Sequence, residues 1–109
     1  MKNILLAVTA FLSANAAIAQ TNFCTQHSSK SSYLNAISAV AIAMNYTYEE
    51  LCSLSTLSDI QIEQTVLLNQ ENEYENHSWI TLHYETYSCQ YFVRDQDQFI
   101  SRKNCYNTG

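Results

Sequence analysis

Four cysteines, Cys24, Cys52, Cys89 and Cys105, are the residues of this chain best placed to do chemistry. Metal ligation, thiol–disulfide exchange and permanent cross-linking are the three options. Structural zinc sites draw cysteines in pairs about two to four residues apart, and thioredoxin-type redox sites use C-x-x-C. Neither spacing occurs here. An even count also leaves no spare thiol to serve as a nucleophile. Cross-linking remains, and the stretch "YSCQYFVRDQDQFISRKNCY" shows how it would come about. A hairpin turning at Asp97 sets Cys89 opposite Cys105, each eight residues from the turn (97 − 89 and 105 − 97). Opposed residues of a non-hydrogen-bonded antiparallel pair bring their β-carbons within disulfide reach. By elimination Cys24 then pairs with Cys52.

The other reactive side chains form weaker patterns. His83 and Glu85 share a strand face, and His77 could complete a His/His/carboxylate metal site of a small hydrolase. No H-E-x-x-H spacing supports that reading. Glu71, Glu73 and Glu75 lie in an acidic loop, whereas paired glycosidase carboxylates need a rigid cleft. The chain has no Pro, and its one Gly is Gly109. A nucleophile elbow, a P-loop and a dinucleotide fingerprint all need glycines inside the chain. The expectation is a non-enzyme without metal or cofactor.

Compartment is read from the first residues. Met1-Lys2-Asn3, the apolar run Ile4–Leu12 and the small-residue end Ala17-Ile18-Ala19 follow the order of a secretory signal peptide. The apolar run is far shorter than the roughly 20 residues of a membrane span. Residues 1–19 are therefore expected to be removed, leaving one domain over 20–109. Phe23 and its neighbours do not form a lipobox before Cys24. The leader has a bacterial form, which places the product in the periplasm or outside the cell, where disulfides persist.

Losing Lys2 takes the net charge from −5 to −6. That balance excludes nucleic acid, which requires clustered cations, and disfavours anionic membranes. A charge-steered partner would be basic.

The elements that must position these residues are legible from periodicity. Ser31–Met44 reads as a helix capped by Ser31 or Ser32 and apolar nearly all round. "TYEE" from Thr47 is a capping box that starts a second helix carrying Leu51, Leu54 and Leu57. Asn45-Tyr46 breaks the two. From Ile60 to Leu68 the apolar period shortens towards two, which predicts a strand, with a third helix capped at Ser58 as the competing assignment. Asn69–His77 reads as an acidic loop. The aromatic and β-branched run from Ser78 to Asp95 is strand. Its apolar residues change phase, from Ile80, Leu82 and Tyr84 to Tyr87, Cys89, Tyr91 and Val93. A bulge or tight turn near Glu85–Tyr87 is required, because a one-residue slip flips every side chain. Gln98–Cys105 is the last strand. With no internal glycine, turns fall to Asn69, Asn72, Asn76, Asp95 and Asp97.

Two helices followed by strands predict an α+β fold: helices on one face of a three- to four-stranded antiparallel meander, stapled by disulfides. Eight tyrosines in so small a chain cannot all be interior. Tyr74, Trp79, Tyr84, Tyr87, Tyr91 and Phe92 are the candidate partner contacts, since aromatic side chains give large contact area at small entropic cost. The sequence thus predicts a small exported protein-binding module of the inhibitor or immunity type. An envelope-assembly or surface-adhesion accessory and the metal-dependent hydrolase are the alternatives.

Overall fold

The computed structural model describes residues 21–109, so the leader reading falls outside the described residues. The chain runs through a 3₁₀ turn (Thr25–His27), two helices, α1 (Ser31–Ala43) and α2 (Tyr48–Cys52), and four strands, β1 (Leu57–Leu68), β2 (Tyr74–Tyr84), β3 (Tyr87–Arg94) and β4 (Ile100–Asn107). The strands form one antiparallel sheet in the order β1-β2-β3-β4, the expected meander.

Helix α1 begins one residue earlier in register than its serines suggest. Lys30 is the N-cap and makes no side-chain cap bond, so Ser31 and Ser32 lie inside the first turn. Its C-terminus closes as a Schellman motif: Tyr46 N–H donates to Ala41 C=O and Asn45 N–H to Ile42 C=O. Asn45 takes the left-handed conformation, φ 65°, that glycine would otherwise supply. Helix α2 carries the predicted capping box. Thr47 N–H donates to Glu50 Oε1 at 2.8 Å, and Glu50 N–H donates to Thr47 Oγ1 at 3.1 Å. It ends at Cys52 rather than running on to Leu57.

The core lies between α1 and one sheet face. Ile37, Val40 and Ala41 pack over Ile60, Ile62, Ile80, Leu82, Tyr91 and Val93. The phase change along the aromatic run is resolved by a tight turn at Glu85-Thr86, after which Tyr91 opposes Ile80 and Cys89 opposes Leu82 on the same face. The helix covers only part of that face. It is not apolar all round in its packing either, since Ile42 points to solvent.

Both disulfides form, Cys24–Cys52 and Cys89–Cys105. The second arises by a different route from the one inferred. Arg94 N–H donates to Phe99 C=O and Gln98 N–H to Arg94 C=O, so the turn is centred between Gln96 and Asp97. A β4 bulge at Ser101 then shifts the pairing, from Val93 opposite Ile100 to Phe92 opposite Arg102. The bulge cancels the half-residue offset of the turn, and Cys89 faces Cys105. The left-handed residue at this turn is Gln98 (φ 62°), where Asp95 or Asp97 was expected. Its side chain closes the turn by donating to Asp95 C=O.

Candidate functional site

The six candidate contacts do not form one site. Tyr91 is 3 % exposed and faces α1, so it belongs to the core and not to a contact surface. Tyr84 and Tyr87 stack across the β2–β3 turn with ring centroids 4.5 Å apart. Burial, and then the neighbouring Tyr87 and Tyr91 phenols, push the Tyr84 hydroxyl up to about 12. Trp79 and Phe92 stack at 5.4 Å on the opposite sheet face, which no described helix covers. Tyr74 stands apart from all of them at 77 % exposure.

Tyr74 is the key to a feature that periodicity did not reveal. The expected loop Asn69–His77 is a loop only as far as Glu73, and from Tyr74 on it is strand. Asn69 organises a short turn by accepting the Glu71 and Glu73 N–H groups on Oδ1, and Asn72 takes the left-handed conformation at φ 64°. Strand β2 then starts at Tyr74 and pairs with β1 along its whole length. The β2–β3 pairing begins only at His77 opposite Arg94. Residues 66–76 therefore project past the rest of the sheet as a two-stranded arm, on the order of 10 Å long at about 3.3 Å per strand residue.

One side of the arm continues the helix-covered face of the sheet, beyond the reach of the helix. It presents Val66 (51 % exposed), Leu68 (49 %) and Tyr74 in one row. Glu71 and Glu73 are exposed at its tip. Val66 and Leu68 were legible as in phase with the core residues Ile60 and Ile62, but not as exposed. The missed signal is Gln64, a polar residue at an inward position. It donates to His77 C=O and reaches the Asp95 carboxylate, which marks where the dry interior ends.

The base of the arm is held by charge. Arg94 donates to both Asp97 carboxylate oxygens, at 2.9 and 2.8 Å, and to Glu75 at 3.3 Å. The Asn69 side chain, followed by Arg94, keeps the Glu75 carboxyl below the ordinary carboxylate range. The Arg94 hydrogen bond, and next the Phe99 N–H, hold Asp97 down to about 2. A depressed carboxylate stabilises the fold above its ordinary value of 3.8, and that contribution disappears as pH falls from about 4 to about 2. Asp97 is half exposed, so the effect is local rather than global. The Asp97 carboxyl, followed by NMR, is expected to titrate near 2 and to rise part of the way towards its ordinary value in Arg94→Gln, which leaves the Phe99 N–H in place. A wild-type midpoint near 4 means the pair is not formed in solution.

The histidines do not converge. His77 and His83 lie six residues apart on β2, roughly 20 Å at strand rise. Glu85 sits in the β2–β3 turn rather than beside His83 on a strand. His83 instead bridges Gln61 and Ser88, at 2.8 and 2.7 Å. No group of three or more His, Cys, Asp or Glu among the described residues is arranged to hold a metal ion, which corrects that grouping. Likewise, no helix among the described residues is long and apolar enough to cross a membrane.

What the geometry offers is one projecting, acid-tipped apolar arm and one polar groove beside it. Comparison with known proteins adds no relative: no family model, no curated protein and no solved structure matches the chain.

Proposed function

We propose that the protein is an exported protein-binding module whose contact element is the β1–β2 arm, and that its partner is basic. The row Val66–Leu68–Tyr74 carries the reading. A two-stranded ribbon standing alone is marginal in water, and three large apolar side chains about half exposed or more along it add no core stability. Buried against a partner, the same row provides an apolar centre. Glu71 and Glu73 provide an acidic rim that speeds encounter with a cation-rich surface. The net charge of −6 without the leader acts in the same direction (−5 less Lys2). An inhibitor or immunity-type role against a basic envelope enzyme fits this chemistry, and two disulfides suit an oxidising compartment.

Capture from the envelope fraction with the oxidised 20–109 domain tests the proposal. A basic protein is expected to bind, and Tyr74→Ala with Leu68→Ser should weaken it by about 30-fold or more, the scale of an interface hot spot. Glu71→Gln with Glu73→Gln should slow association and flatten its salt dependence. An unchanged affinity in the Tyr74/Leu68 variant, with its thermal transition intact, removes the arm from the function.

A further inference from the structure

The groove beside the arm holds the parts of an acyl-transfer site. Ser101 stands on its wall at the β4 bulge, and its Oγ lies 2.9 Å from His77 Nε2. The other imidazole nitrogen, Nδ1, lies 3.0 Å from the Glu75 backbone carbonyl. A carbonyl oxygen can only accept, so Nδ1 carries the proton. In the neutral ring Nε2 is then an acceptor, and the Ser101 hydroxyl donates to it. A second acceptor, Phe92 C=O, is 3.4 Å away and competes poorly at that length. The order of donors is that of a nucleophile, its general base and the group that orients the base. His77 is 2 % exposed, so its ring is fixed, whereas Ser101 is exposed to the groove.

Two further observations point to a ligand. The groove is an open depression of about 550 Å³, a volume suited to a small molecule. Its mainly polar lining includes the apolar side chains of Leu67, Leu68 and Phe99, and Arg102. Arg102 has no carboxylate partner among the described residues, unlike Arg94 in the same groove. The Arg102 guanidinium lies 5.8 Å from the Phe92 ring and lines the same groove as Ser101, where a cation would stabilise a developing oxyanion. The other serine–histidine pair, Ser88 with His83, lacks these features because Ser88 is buried.

We propose that Ser101 and His77 form a serine hydrolase centre for small acyl esters, an activity distinct from the binding role of the arm, although Leu68 borders both. Ser101 Oγ attacks the acyl carbon while its proton passes to His77 Nε2. Arg102 faces the oxyanion. Collapse breaks the bond to the alcohol oxygen, which leaves with the proton from His77. Water, deprotonated by the same nitrogen, then cleaves the acyl-serine to the carboxylic acid and restores the hydroxyl.

The oxidised protein is to be treated with an alkyl fluorophosphonate at neutral pH and mapped by mass spectrometry. An adduct on Ser101 is expected, with fluoride released. Ser101→Ala should give none. His77→Gln should label at least about 100-fold more slowly, the scale of general-base loss, and Arg102→Gln should slow p-nitrophenyl butyrate turnover by a similar factor. Ser88→Ala should match wild type in both assays. Absence of a Ser101 adduct on the folded wild type overturns the proposal. Equal labelling rates in the wild type and a folded His77→Gln variant also overturn it. Arg102 is exposed, so its substitution tests the site even where His77→Gln fails to fold.

Discussion

Reduction of both disulfides in native buffer is expected to abolish the cooperative unfolding transition. The two bridges span sequence separations of 28 and 16. The chain-entropy relation assigns loops of these lengths about 3–4 and about 3 kcal/mol, hence roughly 6–7 kcal/mol together. Whole-domain stabilities run from about 5 to 15 kcal/mol, and a chain this small belongs near the bottom of that range. The bridges do different work. Cys24–Cys52 lies within the core and anchors the segment before α1 to the end of α2, beside a Phe23 N–H to Cys52 C=O bond of 2.8 Å. Cys89–Cys105 clamps β4, whose side chains are nearly all exposed and contribute little burial of their own. Removing the second bridge by paired Cys→Ser substitution should lower stability by about 3 kcal/mol and free the β4 amides for hydrogen exchange. Removing the first should expose the core. Urea melts of the oxidised, reduced and paired-serine proteins measure each contribution. A reduced protein that keeps its midpoint would falsify the stapled-core account.

Much of this architecture could be read before any coordinates. The capping box at Thr47 and the helix break at Asn45 are written in local chemistry that tertiary structure had no reason to override. The phase slip between Tyr84 and Tyr87 demanded a bulge or a tight turn, and a two-residue turn is what forms. The cysteine pairing was right for a partly wrong reason. A symmetric hairpin about Asp97 and an offset hairpin with a bulge at Ser101 give the same partner, and no periodicity distinguishes them. The candidate site was far less legible. Alternation showed that Val66 and Leu68 share the face of Ile60, but not that α1 stops short of them. Equally, alternation put Tyr91 in phase with Cys89 and Val93, but its residue type reads like that of the exposed tyrosines, and its register opposite Ile80 sets it in the core. Ser101 and His77 are 24 residues apart and meet through the bulge, an insertion that leaves no mark in the residue types.

The stacked pair Trp79–Phe92 decides how much of the aromatic surface is free for a partner. On the face away from α1, Trp79 sits between Glu63 of β1 and Phe92 of β3, and Arg102 lies 5.8 Å from the Phe92 ring. The Trp79 Nε1 is buried without a hydrogen-bond partner among the described residues. An N–H aimed at a partner would be solvent-facing, whereas a buried orphan costs about 1–3 kcal/mol. The pair is therefore a small second cluster that ties β2 to β3, kept for its stacked area despite the N–H. Trp79→Ala should lower stability by about 3 kcal/mol through loss of that area. Trp79→Phe keeps a stacking ring and removes the orphan, so the lost area and the relieved N–H nearly cancel, leaving it within about 1 kcal/mol of wild type. Denaturation followed by far-ultraviolet circular dichroism reads both without relying on the single tryptophan. If Trp79→Phe costs as much as Trp79→Ala, the indole N–H has a partner in solution and the orphan assignment fails. If instead Trp79→Phe leaves the fold unchanged but weakens partner capture as strongly as the Tyr74/Leu68 variant, the binding surface reaches across the open sheet, and the arm is only its edge.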